Sequence, residues 1–478
     1  MTLPATDGIM EKLQALLSYD ASSPLIFSSG LFLFLFAGFL LVYSAVRRAT
    51  LARIVYVILF SLYFYYKSSG IYFLLLVFAA TSDFLIAQAI ARSKGRTARR
   101  WLVALSVAVN LGMLGYFKYT NFLVDIANQL FGQGFLQFQN IFLPVGISFF
   151  VFQSMSYTID VYRGQLQPLR NWLDYLFYLS FFPQLVAGPI VRARDFIPQI
   201  RREPFVSREM FGTGVFLILT GLFKKAIISD YISLNFVDRV FDEPLLYTGF
   251  ECLAGIYGYA LQIYCDFSGY SDMAIGIALL LGFHFPKNFD APYKSATITE
   301  FWRRWHITLG DWFKSYIYFP MGGSRKGLPR TIINLLVVWT ITGIWHGASW
   351  NFMLWGTYFG ILIVIERLFL GKVLEKIPSF FSWLYTFIMV VFGWVMFDAV
   401  APGTVSFGNV FEQIWTFISA MFGGNGVFID DTATNYIVNY GIIFAVCIFG
   451  SSDVLKTFAE YIRKKAPTWV QYGFPVVD

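Results

Sequence analysis

Long apolar stretches without charged residues recur along the chain, and they predict membrane-spanning helices. Residues 24–46 contain no Asp, Glu, Lys or Arg. A helix needs about 20 apolar residues to cross the hydrocarbon core of a bilayer, so this stretch is long enough. The predicted spans are 24–46, 54–66, 70–90, 101–117, 141–162, 210–229, 331–345, 350–365, 380–399 and 435–450.

The charges between these stretches predict the orientation of the chain. Short loops rich in Lys and Arg stay in the cytoplasm, and the basic loops are 47–53, 92–100, 192–208, 303–330, 367–376 and 463–465. The acidic or weakly charged loops are 1–23, 230–251 and 402–434, and we expect them on the outer side of the membrane. We therefore expect a multi-pass protein of the inner (cytoplasmic) membrane, with its N-terminus outside and its C-terminus in the cytoplasm.

Two apolar stretches, 172–190 and 253–286, conflict with a simple alternation of cytoplasmic and outer loops. If both crossed fully, the basic loops that follow them would lie on the outer face. We predict that 172–190 and part of 253–286 enter the membrane and return. Pro183, Gly188 and Pro189 in the first stretch, and Gly269 with Gly282 in the second, suit such breaks. Broken backbone is stable at membrane depth only where other helices bury it or where it lines a wet cavity. The predicted fold is therefore all-α, with about eleven transmembrane helices and re-entrant segments around a central tunnel.

The composition supports a membrane protein. Hydrophobic residues make up 57% of the 478 residues and charged residues only 14%, whereas soluble domains have about 45–50% and about 25%. We expect 1–23 to be an extracytoplasmic or interfacial segment, 24–450 a single transmembrane domain and 451–478 a cytoplasmic amphipathic tail. The net charge of +7 lies in short loops and not in a basic–aromatic array. Membrane lipid, and not nucleic acid, is therefore the expected partner.

The cysteines offer no chemistry of their own. Cys252, Cys265 and Cys447 are widely spaced in apolar surroundings. Such spacing predicts neither a metal site nor a disulfide framework.

His346 is the strongest candidate for chemistry. It is one of three histidines, and in residues 331–365 it is the only titratable side chain apart from tyrosine. An ionisable group inside an apolar span is expensive, and so it is a functional candidate. Burial holds an imidazole in its neutral form, which a general base requires. A structural histidine that hydrogen-bonds between helices is the alternative.

Other ionisable groups allow weaker interpretations. His306 lies where aromatic and basic residues alternate, which fits either a second site residue or an interfacial anchor helix. His284 is predicted to be an ordinary interfacial histidine. Asp266 and Asp272 are six residues apart, so on a helix they face different partners. Asp266 could hold an arginine or cap broken backbone.

Four blocks of this sequence resemble the membrane-bound O-acyltransferase family, and within it the branch of alginate O-acetyltransferases. The blocks are 181–189, 266–272, 301–309 and 342–350. The resemblance implies that His346 is the catalytic histidine and His306 the second histidine of the site. Further residues in or beside these blocks are expected to bind substrate or donor, or to support the site: Asp266, Arg304, Trp305, Trp345 and Asn351.

The resemblance also implies a function. The expected reaction moves an acetyl group toward hydroxyls of an exported polysaccharide. Acetyl-CoA or another acyl thioester would be the cytoplasmic donor, and no cofactor or metal would be tightly bound. A separate extracytoplasmic acetyltransferase is the expected partner. Transfer of D-alanine from an acyl-carrier protein is the alternative enzyme activity. A transporter that uses the same buried polar groups is a further alternative, and a scaffold fits the isolated histidine least well.

Overall fold

The structure is a computed structural model that describes residues 16–132, 134–401, 403–404 and 406–450. The predicted tail at 451–478 and most of the N-terminal segment lie outside the described residues. Throughout the part that is described, the regular structure is helical and contains no strand. The predicted all-α class is therefore confirmed.

Seventeen α-helices of seven residues or more follow one another along the described chain. In order they are α1 Gly30–Val46, α2 Thr50–Ser69, α3 Phe73–Arg92, α4 Arg96–Leu114, α5 Thr120–Phe131, α6 Ile147–Tyr162, α7 Trp172–Ser180, α8 Ala193–Ile200, α9 Arg208–Leu222, α10 Gly249–Leu280, α11 Ile298–Arg304, α12 Ile307–Phe313, α13 Leu328–His346, α14 Trp350–Ile365, α15 Ser379–Asp398, α16 Phe407–Met421 and α17 Asp431–Gly450. Shorter helical turns extend several of them. For example, a π-helical turn at Gly115–Tyr119 continues α4 into α5.

Among the described residues, six helical segments are long and apolar enough to cross a membrane. They are Thr50–Arg92, Arg96–Phe131, Arg208–Asp242, Leu328–His346, Trp350–Leu374 and Ser379–Asp398. Helix α1 is a shorter apolar helix of 17 residues. The protein is therefore a multi-pass membrane protein, while the number of about eleven spans and the central tunnel stay predictions.

The chain folds into two compact units. In the described part of the chain, unit 1 comprises residues 16–117, Ile141–Met210 and Ile277–Phe285. Unit 2 comprises Lys118–Asn140, Phe211–Gly276 and the described residues of 286–450. Both candidate histidines belong to unit 2. The assignment of 24–450 to one transmembrane domain stays a prediction.

The predicted interruption within 172–190 is present in unit 1. Helix α7 has nine residues and ends at Ser180, because the next residue, Phe181, has a ψ of 108°, outside the helical region. Nine residues rise about 14 Å along a helix, which is about half of a bilayer core. The short helical turn Phe182–Leu185 follows, and all four of its residues are buried. The ring of Phe182 packs 5.0 Å from Phe60, so aromatic contacts hold the broken segment in place.

The predicted break at Gly269 is wrong, because α10 is continuous over 32 residues. Gly282, the second glycine of that prediction, lies two residues beyond the end of α10 with a φ of 83°. A Cβ at Gly269 would lie 2.8 Å from the carbonyl oxygen of Gly221, and a Cβ at Gly221 would lie 2.4 Å from that of Gly269. These glycines let two helical backbones touch, as small residues do in membrane helices. The glycine therefore marks a close helix contact and not a chain reversal.

Helix α16 corrects a second expectation, since the sequence placed 402–434 in an outer loop. Its Val410, Ile414 and Phe417 are buried, at the spacing of one helix face. Phe411 and Trp415, on the other side, are exposed. The low charge of this segment therefore reflects an apolar helix and not a weakly charged loop.

Candidate active site

His306 lies at a sharp turn between α11 and α12. Its φ of 45° and ψ of 53° place it in the left-handed region, where a residue with a Cβ is strained. The turn is held by backbone hydrogen bonds. The N–H of Ile307 donates to the Asn288 carbonyl at 2.9 Å, and the N–H groups of Leu309 and Gly310 donate to the His306 carbonyl at 3.1 Å. The local fold therefore fixes the direction of the imidazole.

The His306 side chain is buried, with 3% of its surface exposed. Its Nδ1 lies 3.0 Å from Oδ1 of Asn288, and the rings of Phe267 and Phe289 lie 4.6 and 6.4 Å away between centroids. Burial lowers the pKa of His306 to about 3, because an apolar surround disfavours the charged ring. His306 is therefore neutral at physiological pH.

His346 is the last residue of α13, and its position depends on the end of that helix. The ammonium of Lys118 donates to the His346 carbonyl at 2.9 Å and also to the carbonyl of Trp345. The hydroxyl of Tyr119 donates to the carbonyl of Ile344. A cation at a helix C-terminus satisfies carbonyls that lack an intrahelical partner and complements the helix dipole.

Aromatic side chains surround the imidazole of His346. Ring centroids lie at 4.9 Å for Trp345, 4.8 Å for Trp355 and 5.4 Å for Phe397. Trp345 also contacts His306, with 6.4 Å between ring centroids. One tryptophan therefore touches both candidate histidines.

Glycines next to His346 let α14 approach α13. A Cβ at Gly343 would lie 2.2 Å from the carbonyl oxygen of Phe352, and one at Gly347 would lie 2.0 Å from the Phe352 ring. A Cβ at Gly356 would meet the Trp339 carbonyl oxygen at 2.4 Å. The helix that carries His346 is therefore locked against its neighbour by backbone contact.

Both histidines line one cavity of about 840 Å³. Trp305 lines it as well, together with Trp302, Trp339 and Thr342. The charged side chains of its wall are Arg303, Asp311, Lys314, Glu366, Arg367 and Glu375. A volume of this size can hold a small molecule. Two imidazoles on one wall provide groups that can accept or carry a proton.

The two aspartates of the 266–272 block hold different lysines, as their spacing predicted. Asp266 lies 2.5 Å from the ammonium of Lys225, and Asp272 lies 2.6 Å from that of Lys224. Neither carboxylate is among the cavity residues. Both ion pairs join the segment after α9 to α10.

The other candidate residues also lie outside the cavity wall. Arg304 pairs with Glu300 at 2.8 Å. The amide of Asn351 donates to the Phe397 carbonyl at 3.0 Å and so joins α14 to α15. Trp345 is buried between the histidines. These contacts support the cavity without forming its surface.

Sequence reasoning did not select three residues that shape this site. They are Asn288 beside His306, Lys118 at the end of α13, and Glu366 in the cavity wall. Glu366 accepts hydrogen bonds from the N–H groups of Ile298 and Thr299, at 2.6 and 2.9 Å, and so caps α11. Glu366 and Lys118 directly follow apolar stretches, which was a usable signal. Asn288 lies in a polar loop and gave none.

Comparison with known proteins gives this geometry a family. Residues 130–401 match the model of the membrane-bound O-acyltransferase family. A probable alginate O-acetylase of Pseudomonas putida is 40% identical over 387 residues, covering 78% of this chain and 77% of the relative. A peptidoglycan O-acetyltransferase of Helicobacter pylori is 34% identical over 436 residues, covering 84% and 81%.

A teichoic acid D-alanyltransferase of Bacillus subtilis is less similar. It is 27% identical over 284 residues, which cover 54% of this chain and 69% of the relative. The family model covers more than half of the chain, and the stronger similarities extend over most of it. This membrane protein belongs to the membrane-bound O-acyltransferase family and is an O-acyltransferase.

Proposed function

We propose that the protein transfers an acetyl group from a cytoplasmic thioester, such as acetyl-CoA, toward hydroxyls of an exported polysaccharide. The relatives named as alginate and peptidoglycan acetylating enzymes support acetyl as the group and a cell-envelope glycan as the acceptor. The observation that carries the proposal is the shared cavity, because it puts two imidazoles against one volume.

In this reaction His346 accepts the proton of the attacking hydroxyl. The hydroxyl oxygen bonds to the thioester carbonyl carbon, the carbon–sulfur bond breaks, and the proton on His346 passes to the departing thiolate. A positioned base contributes about 10²–10⁴ in rate. His306 supports this step, either by orienting the reactants or by stabilising the charge on the carbonyl oxygen.

The donor and the acceptor approach from opposite sides of the membrane in this proposal. The thioester enters from the basic cytoplasmic face of an inner-membrane protein whose N-terminus lies outside. A separate extracytoplasmic acetyltransferase completes the transfer onto the sugar chain, so the hydroxyl that attacks beside His346 belongs to an acceptor that passes the acetyl group on.

His346→Ala tests the catalytic assignment. Membranes that contain the variant should lose acetyl transfer from labelled acetyl-CoA by about 10²–10⁴-fold, while expression and thermal unfolding stay at wild-type values. His284→Ala is the matched control, because His284 is exposed and is not a cavity residue. Normal acetylation by the His346→Ala protein would refute the assignment.

Two other activities are separated from this one by simple measurements. Transfer of D-alanine would require a small acyl-carrier protein, so labelled D-alanine on such a carrier would be consumed in place of acetyl-CoA. A transporter would move its substrate without any acyl donor. The weaker similarity to the D-alanyltransferase makes acetyl transfer the better-supported activity.

A further inference from the structure

The side chain of Asn288 is bonded to the α11–α12 turn through its amide oxygen. This Oδ1 lies 3.0 Å from Nδ1 of His306, 2.9 Å from Oγ1 of Thr308 and 3.3 Å from the Thr308 backbone nitrogen. Its Nδ2 lies 3.1 Å from Oγ of Ser271. Asn288 has 1% of its surface exposed, so these bonds form away from bulk water.

The bonds determine which way the amide points. A backbone N–H can only donate, so the atom that faces the Thr308 nitrogen must be the amide oxygen. With the amide turned over, its NH₂ group would face that N–H and two donors would oppose each other. Asn288 also satisfies an N-terminal N–H of α12, that of Thr308. The residue at the N-cap position, His306, makes no side-chain capping bond there.

The orientation of the amide then determines the proton on His306. An amide oxygen accepts and never donates, so the His306 nitrogen that faces it must carry the hydrogen. We propose that Asn288 is a positioning residue that holds neutral His306 as the Nδ1–H tautomer, which makes Nε2 the basic nitrogen of that ring in the cavity.

This assignment narrows the chemical role of His306, and in doing so it rests on the proposed acetyl transfer. A neutral ring with its proton on Nδ1 has a lone pair on Nε2, so it accepts a hydrogen bond and cannot donate one there. His306 would therefore orient a hydroxyl or amide hydrogen of a reactant. It would not stabilise a negative carbonyl oxygen, since that role needs a donor.

Nitrogen NMR on the full-length protein in detergent tests the tautomer without any activity assay. Because the chain has only three histidines, labelling with ¹⁵N-histidine gives three pairs of ring signals, and His306→Gln identifies one pair. We expect the wild-type His306 signals to show protonated Nδ1 and unprotonated Nε2. Protonated Nε2, or a ring charged at neutral pH, would overturn the proposal.

Variants at Asn288 test whether that residue is responsible. Asn288→Leu removes the acceptor at similar size, so the Nδ1–H preference should be lost and kcat should fall by about 10²–10⁴-fold, with KM changing less. Asn288→Asp keeps an acceptor oxygen, so it should keep the proton on Nδ1 and recover at least part of the lost kcat. Asn128→Leu is the control, since Asn128 is a buried asparagine that bonds Leu136 and is not a cavity residue.

The outcomes separate this inference from the proposed function. An Asn288→Leu protein that keeps the Nδ1–H tautomer, or that keeps full turnover, refutes the positioning role whichever acyl group is transferred. If Asn288→Leu does not fold, the wild-type spectrum still decides the tautomer. A confirmed tautomer in a protein that transfers no acetyl would instead refute the proposed function alone.

Discussion

Two regions of the molecule bury polar groups among apolar helices, and they do so in opposite ways. In unit 1, Asp83 on α3 is fully buried. It accepts hydrogen bonds from Ser106 at 2.5 Å, from Asn110 at 2.6 Å and from Ser154. These partners lie on α4 and α6, and we call this set the Asp83 cluster. In unit 2, His306 and His346 line a cavity.

The difference shows that burial of an ionisable group does not by itself indicate chemistry. The oxygens of Asp83 are occupied by donors from two neighbouring helices, so the cluster joins three helices. The two histidines border a volume that a reactant could enter. An ionisable residue in a membrane span is a functional candidate by default. A cavity beside the residue distinguishes a candidate for chemistry from a group that only joins helices.

The largest effect on stability should come from breaking the Asp83 cluster. Asp83→Ala removes one hydrogen bond each from Ser106, Asn110 and Ser154, which keep their bonds to Thr158, to the Ser106 carbonyl and to Tyr175. A typical buried hydrogen bond contributes about 0.5–1.5 kcal/mol, and one to a charged group contributes more. We expect a loss of about 3 kcal/mol in the free energy of unfolding, with turnover per folded molecule unchanged. Denaturant unfolding in detergent measures the first quantity and an acetylation assay the second.

Asp195→Ala serves as the control, because Asp195 is an exposed carboxylate in the same unit that pairs with Arg194 at the surface. Such surface changes cost within about 0.5 kcal/mol. A stable Asp83→Ala protein with lost turnover would reverse the comparison and make the Asp83 cluster functional.

A smaller effect should follow from crowding the contact between α13 and α14. In Gly343→Ala the added Cβ would lie 2.2 Å from the carbonyl oxygen of Phe352. Overpacking of this kind costs about 1–3 kcal/mol of stability. Because His346 follows on the same helix, turnover should fall together with stability. Thermal unfolding and the acetylation assay, run on the same preparation, measure both.

Gly112→Ala provides the matched control for that substitution. Gly112 is also helical, and a Cβ there meets no atom within 4 Å. It should be neutral or slightly stabilising, because alanine favours helix over glycine by up to about 1 kcal/mol. Equal behaviour of the two alanine variants would show that α13 and α14 tolerate separation.

The smallest effect concerns the end of α13. Lys118→Met removes the ammonium that bonds the Trp345 and His346 carbonyls, and a cation at a helix C-terminus contributes about 0.3–1 kcal/mol when exposed and up to about 2 when partly buried. We expect a loss near the middle of that range and a reduced turnover, partly restored by Lys118→Arg. Lys94→Met is the control, at a lysine outside the cavity wall, and it should change neither stability nor turnover. Identical stability and turnover in both methionine variants would exclude a role for Lys118.

Much of the fold follows from the sequence because span length and charge-free runs are local properties. The predicted span 350–365 coincides with α14, and 380–399 with α15 to within one residue. The break after Ser180 was predicted from a conflict in loop charges. Glycine was less informative, since Gly269 serves a helix contact where a break was expected.

The candidate site was predictable only in part. His346 and His306 were selected because the chain has only three histidines, and both line the cavity. Their supporting residues come from distant parts of the chain: Lys118 lies 228 residues from His346 and Asn288 lies 18 residues from His306. Such pairings depend on tertiary structure, which apolar periodicity does not encode. The catalytic roles stay predictions.

The size of the cavity has a consequence for an idle enzyme. Each water molecule occupies about 30 Å³ of liquid, so a volume of about 840 Å³ has room for many of them beside two imidazoles. Under the proposed function, a bound thioester awaiting its sugar would share that volume with water that the same base could activate. Hydrolysis of the thioester to free acetate is therefore the expected side reaction in a cavity that contains water. A steady supply of glycan would keep its rate low.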